Sequence, residues 1–265
     1  MPCLLGVILL GVRNSKRGWL DYAGRQARSS GGDASLDPGR TIHVNPLEIT
    51  RVCRRHIDTK KKEGSKLYDF GRVLEGDWDL ANQGKRNIPV EETVIHQSVF
   101  DRYANNTAWE DLPVFEHKLR AIREQGKVDG CRTRADLVER YRRLDGVCER
   151  LRDTGWQLEE HVGGLFQNNV SVSVTRNGGF LLGTGGAHRL SIAKFLRLPT
   201  IEVYVLSRHT DWIDVRRKAA DGLVFPHPDL EEFGRGDARL SSAPSPTAVK
   251  RPIGRFLDRL LPVRV

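Results

Sequence analysis

Residues 177–206, NGGFLLGTGGAHRLSIAKFLRLPTIEVYVL, limit the fold more than any other stretch of the chain. The apolar run Phe180 to Leu182 reads as a strand, and Gly183, Thr184, Gly185 and Gly186 follow as a loop that small residues can make tight. Leu190 to Leu198 then repeats at helical spacing and is stopped at Arg197-Leu198-Pro199. After this short connection Ile201, Val203 and Val205 alternate as a second strand. Strand, glycine loop, helix and strand thus follow one another in immediate succession.

The same stretch suggests chemistry. The first N–H groups of a helix have no partner within it and lie at the positive end of its dipole, and a loop without side chains lets an anion approach them. Gly183, Thr184, Gly185 and Gly186 are therefore candidates for holding phosphate. His188, able to give or take a proton, and Arg189, with a planar fork of donors, stand at the helix start. The competing reading is that the glycines serve only to turn the chain. The lysine and hydroxyl pair of a full P-loop is missing between Gly183 and Arg189.

Gly186, His188, Arg189, Ala193 and the Ile201 to Val205 strand together resemble the ParB/sulfiredoxin-like superfamily. The likeness is specific over these roughly thirty residues and loose elsewhere. It implies a small mixed sheet of α/β (α+β) class in which the loop and helix start hold the phosphates of ATP or CTP. Sulfiredoxins proper carry a cysteine where this chain has Ala187, and partition-type ParB proteins carry a G-E-R-R loop and a helix-turn-helix domain downstream. The resemblance therefore points to a divergent member that is neither a sulfiredoxin nor a full partition ParB.

A second group of chemical residues lies at Gly71 to Leu80, GRVLEGDWDL, where Glu75, Asp77 and Asp79 flank Trp78. In an extended segment the three carboxylates would share one face. Asp77 and Asp79 could then hold Mg²⁺ together with phosphate oxygens, or one of the three could act as a base. In a turn, Asp77 and Asp79 would instead cap backbone N–H groups while Trp78 anchors the loop. The expected catalytic set is thus Glu75, Asp77, Asp79 and His188, and it depends on the acidic loop meeting the glycine loop. Trp78, Arg208 and His209 join it as accessory candidates, the last two because open α/β sheets bind ligands at strand ends.

Composition narrows the partners without choosing one. The net charge of +9, from 43 Lys plus Arg against 34 Asp plus Glu, favours polyanions, whether nucleotide, nucleic acid or anionic surface. Aromatic residues are only 7%, too few to suggest a stacking platform for single strands. Cys3, Cys53, Cys131 and Cys148 form no C-x-x-C pair, so reduced thiols in a cytoplasmic protein are expected. The apolar run Cys3 to Val12 is too short for a transmembrane segment. His96, His117 and His161 show no metal spacing.

Between the acidic loop and the cradle the pattern is helical. Ile95, Val99 and Tyr103 mark one helix. Thr107 with Glu110 resembles a capping box for a second that carries Leu112, Phe115, Leu119 and Ile122 and ends at Gly126. Thr133 with Asp136 repeats that signature before Leu137, Tyr141, Leu144, Cys148 and Leu151, a stripe closed by Gly155. Arg102, Arg140, Arg142 and Arg143 are either phosphate contacts or solvated side chains. Asn177-Gly178 signals a hairpin leading into the Phe180 strand.

The expected organisation is an N-terminal helix and flexible join at 1–36, and a nucleotide-binding core at 37–89 and 157–222. A helical insertion or lid at 90–156 and a turn-rich tail with a short amphipathic helix at 223–265 complete it. The activities to weigh are nucleotide binding with Mg²⁺-dependent phosphotransfer or hydrolysis, DNA binding or ParB-like metal-dependent nuclease action, and a nucleotide-gated switch without turnover.

Overall fold

The structure is a computed structural model that describes residues 40–53, 72–80, 87–158, 168–183, 185–223, 226–231 and 233. Among these, seven strands form one mixed sheet: β1 (Thr41–Val44), β2 (Ile49–Cys53), β3 (Arg72–Leu74), β4 (Asn87–Pro89), β5 (Ser171–Val174), β6 (Phe180–Leu182) and β7 (Ile201–His209). The helices are α1 (Val94–Ala104), α2 (Pro113–Gln125), α3 (Arg134–Thr154), α4 (Ala187–Phe195) and α5 (Thr210–Ala220). The α/β class expected from the sequence is the class observed. Expectations for Cys3 to Val12, Thr184, His161 and the tail beyond Phe233 fall outside the described residues.

The order of the sheet is β1-β7-β5-β6-β2-β4, with β3 also paired to β7. Strand β7 organises it because its nine residues are long enough to pair with three neighbours on two edges. One edge takes β5 in parallel, Ser171 opposite Tyr204 and Val174 opposite Arg208. The other takes β1 antiparallel along Ile201 to Tyr204, then β3 parallel along Ser207 to His209. Its β-branched residues Ile201, Val203 and Val205 are wholly buried with Val170, Val172 and Val174. Each such side chain contributes roughly 1.5–3 kcal/mol by leaving water, an upper figure because the unfolded chain already hides some of that surface.

Helix α4 is the layer between the sheet and the helices α1 to α3. Leu190 and Ala193 join the sheet's apolar cluster, whereas Ile192 joins a second cluster built from Val99, Trp109, Phe115, Leu137, Tyr141 and Leu151. Its sides are therefore buried in two directions, which is why a nine-residue helix shows no clear polar face. Its end is a left-handed cap made without glycine. Arg197 adopts φ 51°, and the amides of Leu198 and Arg197 donate to Ala193 O at 3.0 Å and Lys194 O at 3.1 Å.

Helix α4 starts at Ala187, one residue before His188, as expected, and ends at Phe195. Other boundaries differ from the sequence expectation for local reasons. Helix α2 starts at Pro113, with Leu112 before it and a 3₁₀ turn at Trp109–Asp111, so Thr107 is not its cap. Proline at the first helical position lacks only an N–H that would have no partner there. Helix α5 includes Thr210, and its cap is His209, whose Nδ1 accepts from Asp211 N at 3.0 Å. The Thr133 and Asp136 capping box is formed in full, with reciprocal bonds of 3.1 and 3.0 Å.

Candidate functional site

The glycine loop does lead from strand to helix start, but its glycines are first required by the protein's own backbone. A Cβ on Gly186, at φ +72°, would lie 2.6 Å from Val170 N and Cα. One on Gly183 would lie 2.9 Å from Ser171 Oγ. The direction expected to admit an anion at Gly186 is thus filled by the chain entering β5. The first helical bond is Leu190 N to Gly186 O at 2.8 Å, and no side chain caps the helix start. The amides of the first turn precede that bond, and they form the electropositive end of α4.

His188, on that first turn, faces the helical insertion. Its ring meets Tyr141 of α3 edge-on with centroids 5.8 Å apart. Both side chains are buried, and both have a polar atom without a hydrogen-bond partner: Nε2 of His188 and Oη of Tyr141. Burial pushes the His188 imidazole down to about 3, with the charges of Arg140 and Lys118 acting in the same direction and Asp129 opposing them. The ring is therefore neutral at ordinary pH. Burial likewise raises the Tyr141 hydroxyl. Asp129, in the turn between α2 and α3, pairs with Lys118 at 2.7 Å and Arg140 at 3.6 Å. Burial would raise its carboxyl, but these cations hold it below the usual carboxylate range.

Arg189 points elsewhere. It donates to Asn169 Oδ1 at 3.2 Å and to Gln157 O, and its guanidinium lies 4.3 Å over the Trp156 ring. These contacts fasten the chain on either side of the 159–167 segment to α4, so the expected grip on phosphate is replaced by a structural clamp. Helix α4 is also held to α1 and to the 3₁₀ turn Val90–Glu92 before it. His96 Nδ1 of α1 is 3.3 Å from Ser191 Oγ, and Lys194 Nζ is 2.9 Å from Glu91 of the turn.

The acidic loop is a turn, not an extended strand. Gly76 takes φ +82°, and Trp78 Nε1 donates to Leu74 O at 3.2 Å. Asp77 and Asp79 both face Arg176 of the β5–β6 hairpin. Its Nη2 reaches Asp77 Oδ1 at 2.9 Å and Asp79 Oδ1 at 2.8 Å, and Arg176 N donates to Asp79 Oδ2 at 2.9 Å. Burial would raise the Asp79 carboxyl, yet the bonds from Arg176 hold it below its ordinary value. With a guanidinium on their oxygens, Asp77 and Asp79 do not fit a resident Mg²⁺. Glu75 is exposed beside them. Among the described residues no group of three or more His, Cys, Asp and Glu is placed to hold a metal.

His209 and Arg208 are structural at this end. Since Asp211 N donates to Nδ1 of His209, the proton resides on Nε2 and is given to Gly76 O at 2.8 Å. Arg208 is buried and grips Asp229 with two bonds of 2.8 and 2.6 Å.

The expected halves of the site are at opposite ends of the sheet. The acidic turn continues from Leu74, opposite His209, and meets the hairpin that follows Val174. The glycine loop begins beside Ser171, at the other end of β5, where Gly183 N donates to Ser171 O at 2.7 Å. Three strand steps alone separate these levels by about 10 Å, before either loop extends away. Glu75, Asp77, Trp78 and Asp79 therefore do not join His188, Gly183, Gly185 and Gly186. What the helix head meets instead, through His188, is Tyr141, in the field of Lys118, Arg140 and Asp129. Tyr141 reads in sequence as one more residue of an apolar stripe, and Arg176 as a solvated turn residue, so neither announces its contacts. Asn87, which donates to Trp78 O at 2.6 Å and Leu80 O at 2.9 Å, is equally silent.

No helix among the described residues is long and apolar enough to cross a membrane. No known protein family, curated protein or solved structure matches this chain.

Proposed function

We propose that this chain binds the phosphates of a nucleoside triphosphate, ATP or CTP, at the head of α4, and that it does so as a nucleotide-gated switch. The observation that carries the reading is an uncapped helix start after a glycine loop, with a buried neutral histidine on its first turn whose Nε2 has no partner. A group that the fold leaves without a hydrogen bond in such a place calls for a ligand or a functional explanation. The net charge of +9 and the local cations Lys118 and Arg140 favour an anion. The triphosphate itself comes from the ParB/sulfiredoxin-like resemblance.

Binding without turnover fits the positions better than phosphotransfer or hydrolysis. Both activities call for carboxylates or Mg²⁺ beside the transferred group, and Asp77 and Asp79 are held by Arg176 at the other end of the sheet. The DNA-binding or nuclease reading rests on net charge alone.

The test is a thermal-shift panel of ATP, CTP, GTP and ADP with and without Mg²⁺, because a ligand that binds only the folded state raises its melting temperature. Ala187→Glu places a fixed carboxylate at the first helical position, where it interacts favourably with the dipole and competes with phosphate. The expected result is a protein that melts no lower than wild type and shows no nucleotide shift. Equal shifts in the two proteins, or none in wild type, would reject the site.

A further inference from the structure

The surface where α4 meets the insertion brings together two aromatic side chains that each bury an unpartnered polar atom. Tyr141 is held rigidly, its ring stacked on Trp109 with centroids 4.6 Å apart and tilted against Phe115 at 5.8 Å. Trp109 is fixed in turn by Asp145, which accepts from its Nε1 at 2.9 Å and from Arg102 at 3.2 and 2.9 Å. The hydroxyl is thus carried to a set place, and at that place it has no partner. The neighbouring ring, edge-on at 5.8 Å between centroids, is His188 on the first turn of α4, whose Nε2 also has no partner. A buried core needs neither atom: phenylalanine would fill the same volume without the cost of an unpaired hydroxyl. Around the two rings Lys118 and Arg140 face the single carboxylate of Asp129, leaving a local excess of positive charge.

We infer that Tyr141 is a ligand-binding residue: the insertion moves off the head of α4, and the Tyr141 hydroxyl and His188 Nε2 then bond a phosphate group held on the first-turn amides. This inference rests on the reading of α4 as a phosphate site and adds the insertion as its second wall. The two atoms are buried between α3 and α4, so entry of the phosphate requires the seam between Tyr141 and His188 to part. Lys118 and Arg140 sit where they attract the incoming charge. The insertion then responds to nucleotide because the ligand satisfies atoms that the closed seam leaves unpaired, a differential interaction of the kind that shifts a two-state equilibrium.

The experiment uses the full chain and two conservative variants, with ATP, CTP and pyrophosphate as probes in calorimetric titrations and melting curves. Tyr141→Phe deletes the unpartnered hydroxyl. Tyr103→Phe deletes one that donates to Leu144 O at 3.4 Å in the same insertion. The expected result is that Tyr141→Phe melts above wild type without ligand and binds the probes about tenfold more weakly. Tyr103→Phe should melt lower and bind as wild type does. If wild type binds and Tyr141→Phe binds equally well, the inference fails while the helix-head site stands. If Tyr141→Phe melts below wild type, its hydroxyl has a structural partner and the inference fails. If wild type binds none of the probes, the helix-head site itself fails and the inference with it.

Discussion

The carboxylate of Asp229 takes hydrogen bonds from Arg208, Arg216 and Trp212, its amide donates to His227, and its carbonyl accepts from Arg40 and Arg216. On the other side of the same core, Nε2 of His188 and Oη of Tyr141 are as deeply buried and have no hydrogen bond. Both clusters are polar groups inside an apolar body, yet only the first is closed. Burial would raise Asp229, but Arg208 first and Arg216 next hold its carboxyl below the ordinary value. At His188 burial acts with the neighbouring cations and the ring loses its proton. The difference separates two uses of buried polarity. A saturated cluster fixes one arrangement of the chain, here the turn at Pro228–Leu230 against β7 and α5. An unsaturated one leaves a cost that another partner can remove.

Deleting the saturated cluster should have the largest effect. Asp229→Ala leaves the fully buried Arg208 guanidinium without its countercharge, and removing one partner of such a pair costs about 3–5 kcal/mol. Urea denaturation should show that loss as a lower midpoint with an unchanged slope. A loss below about 1 kcal/mol would mean the cluster is not the anchor that its saturation implies.

The pH dependence of stability should separate the clusters next. His188 has a folded value of about 3 against an ordinary 6.5, so between these values the unfolded chain binds a proton that the folded chain does not. Stability must therefore fall as pH falls below 6.5, by about 1.4 kcal/mol per unit, or about 2 kcal/mol by pH 5. The groups acting on the ring are Tyr141 and Arg140 from α3, Lys118 from α2 and Asp129 from the turn. His96, also lowered chiefly by burial, contributes in the same window. His188→Gln should remove its own part of the slope and His188→Gln with His96→Gln most of it. Asp229 and Asp79 behave differently. Their folded values lie below 3.8, so their contribution is intact above that pH and is lost only below it. A curve flat from pH 6.5 to 4 would show that His188 is not buried as described.

How far these clusters could be read in advance follows from what specifies each one. The β6, glycine loop, α4 and β7 succession was legible because periodicity and glycine punctuation are local signals. The α/β class and the hairpin at Asn177-Gly178 follow from the same signals. Helix starts were less legible. Thr107 and Glu110 match the spacing of a capping box, but the 3₁₀ turn at Trp109 and the fixed φ of Pro113 move the cap of α2 five residues on, from Thr107 to Leu112. The expected site failed to assemble for a topological reason. Glu75 to Asp79 and Gly183 to His188 each follow a strand, and sequence gives no sign that β3 and β5 both lie parallel to β7, which puts the acidic turn at the hairpin end of β5 while the glycine loop leaves at the other. Tyr141 was legible as core and illegible as a polar residue, since its stripe has the same period whether the hydroxyl finds a partner or not.

The acidic turn supplies the finest test of whether closure or burial decides what a polar cluster does. Asp77 and Asp79 share Nη2 of one guanidinium at 2.9 and 2.8 Å, and Asp79 also accepts from Arg176 Nε and from the Arg176 amide. Their surroundings differ further: the Asp77 side chain is 60% exposed and the Asp79 side chain 2%. Water replaces whatever Asp77 gives to Arg176, and exposed pairs of this kind contribute little. Asp77→Ala should therefore leave the melting temperature unchanged. Asp79→Ala strands the Arg176 amide and guanidinium at a buried acceptor position and should lower it clearly. Equal losses at the two positions would show that the geometry of the bond outweighs burial, and the contrast drawn between Asp229 and His188 would then have to rest on bond count alone.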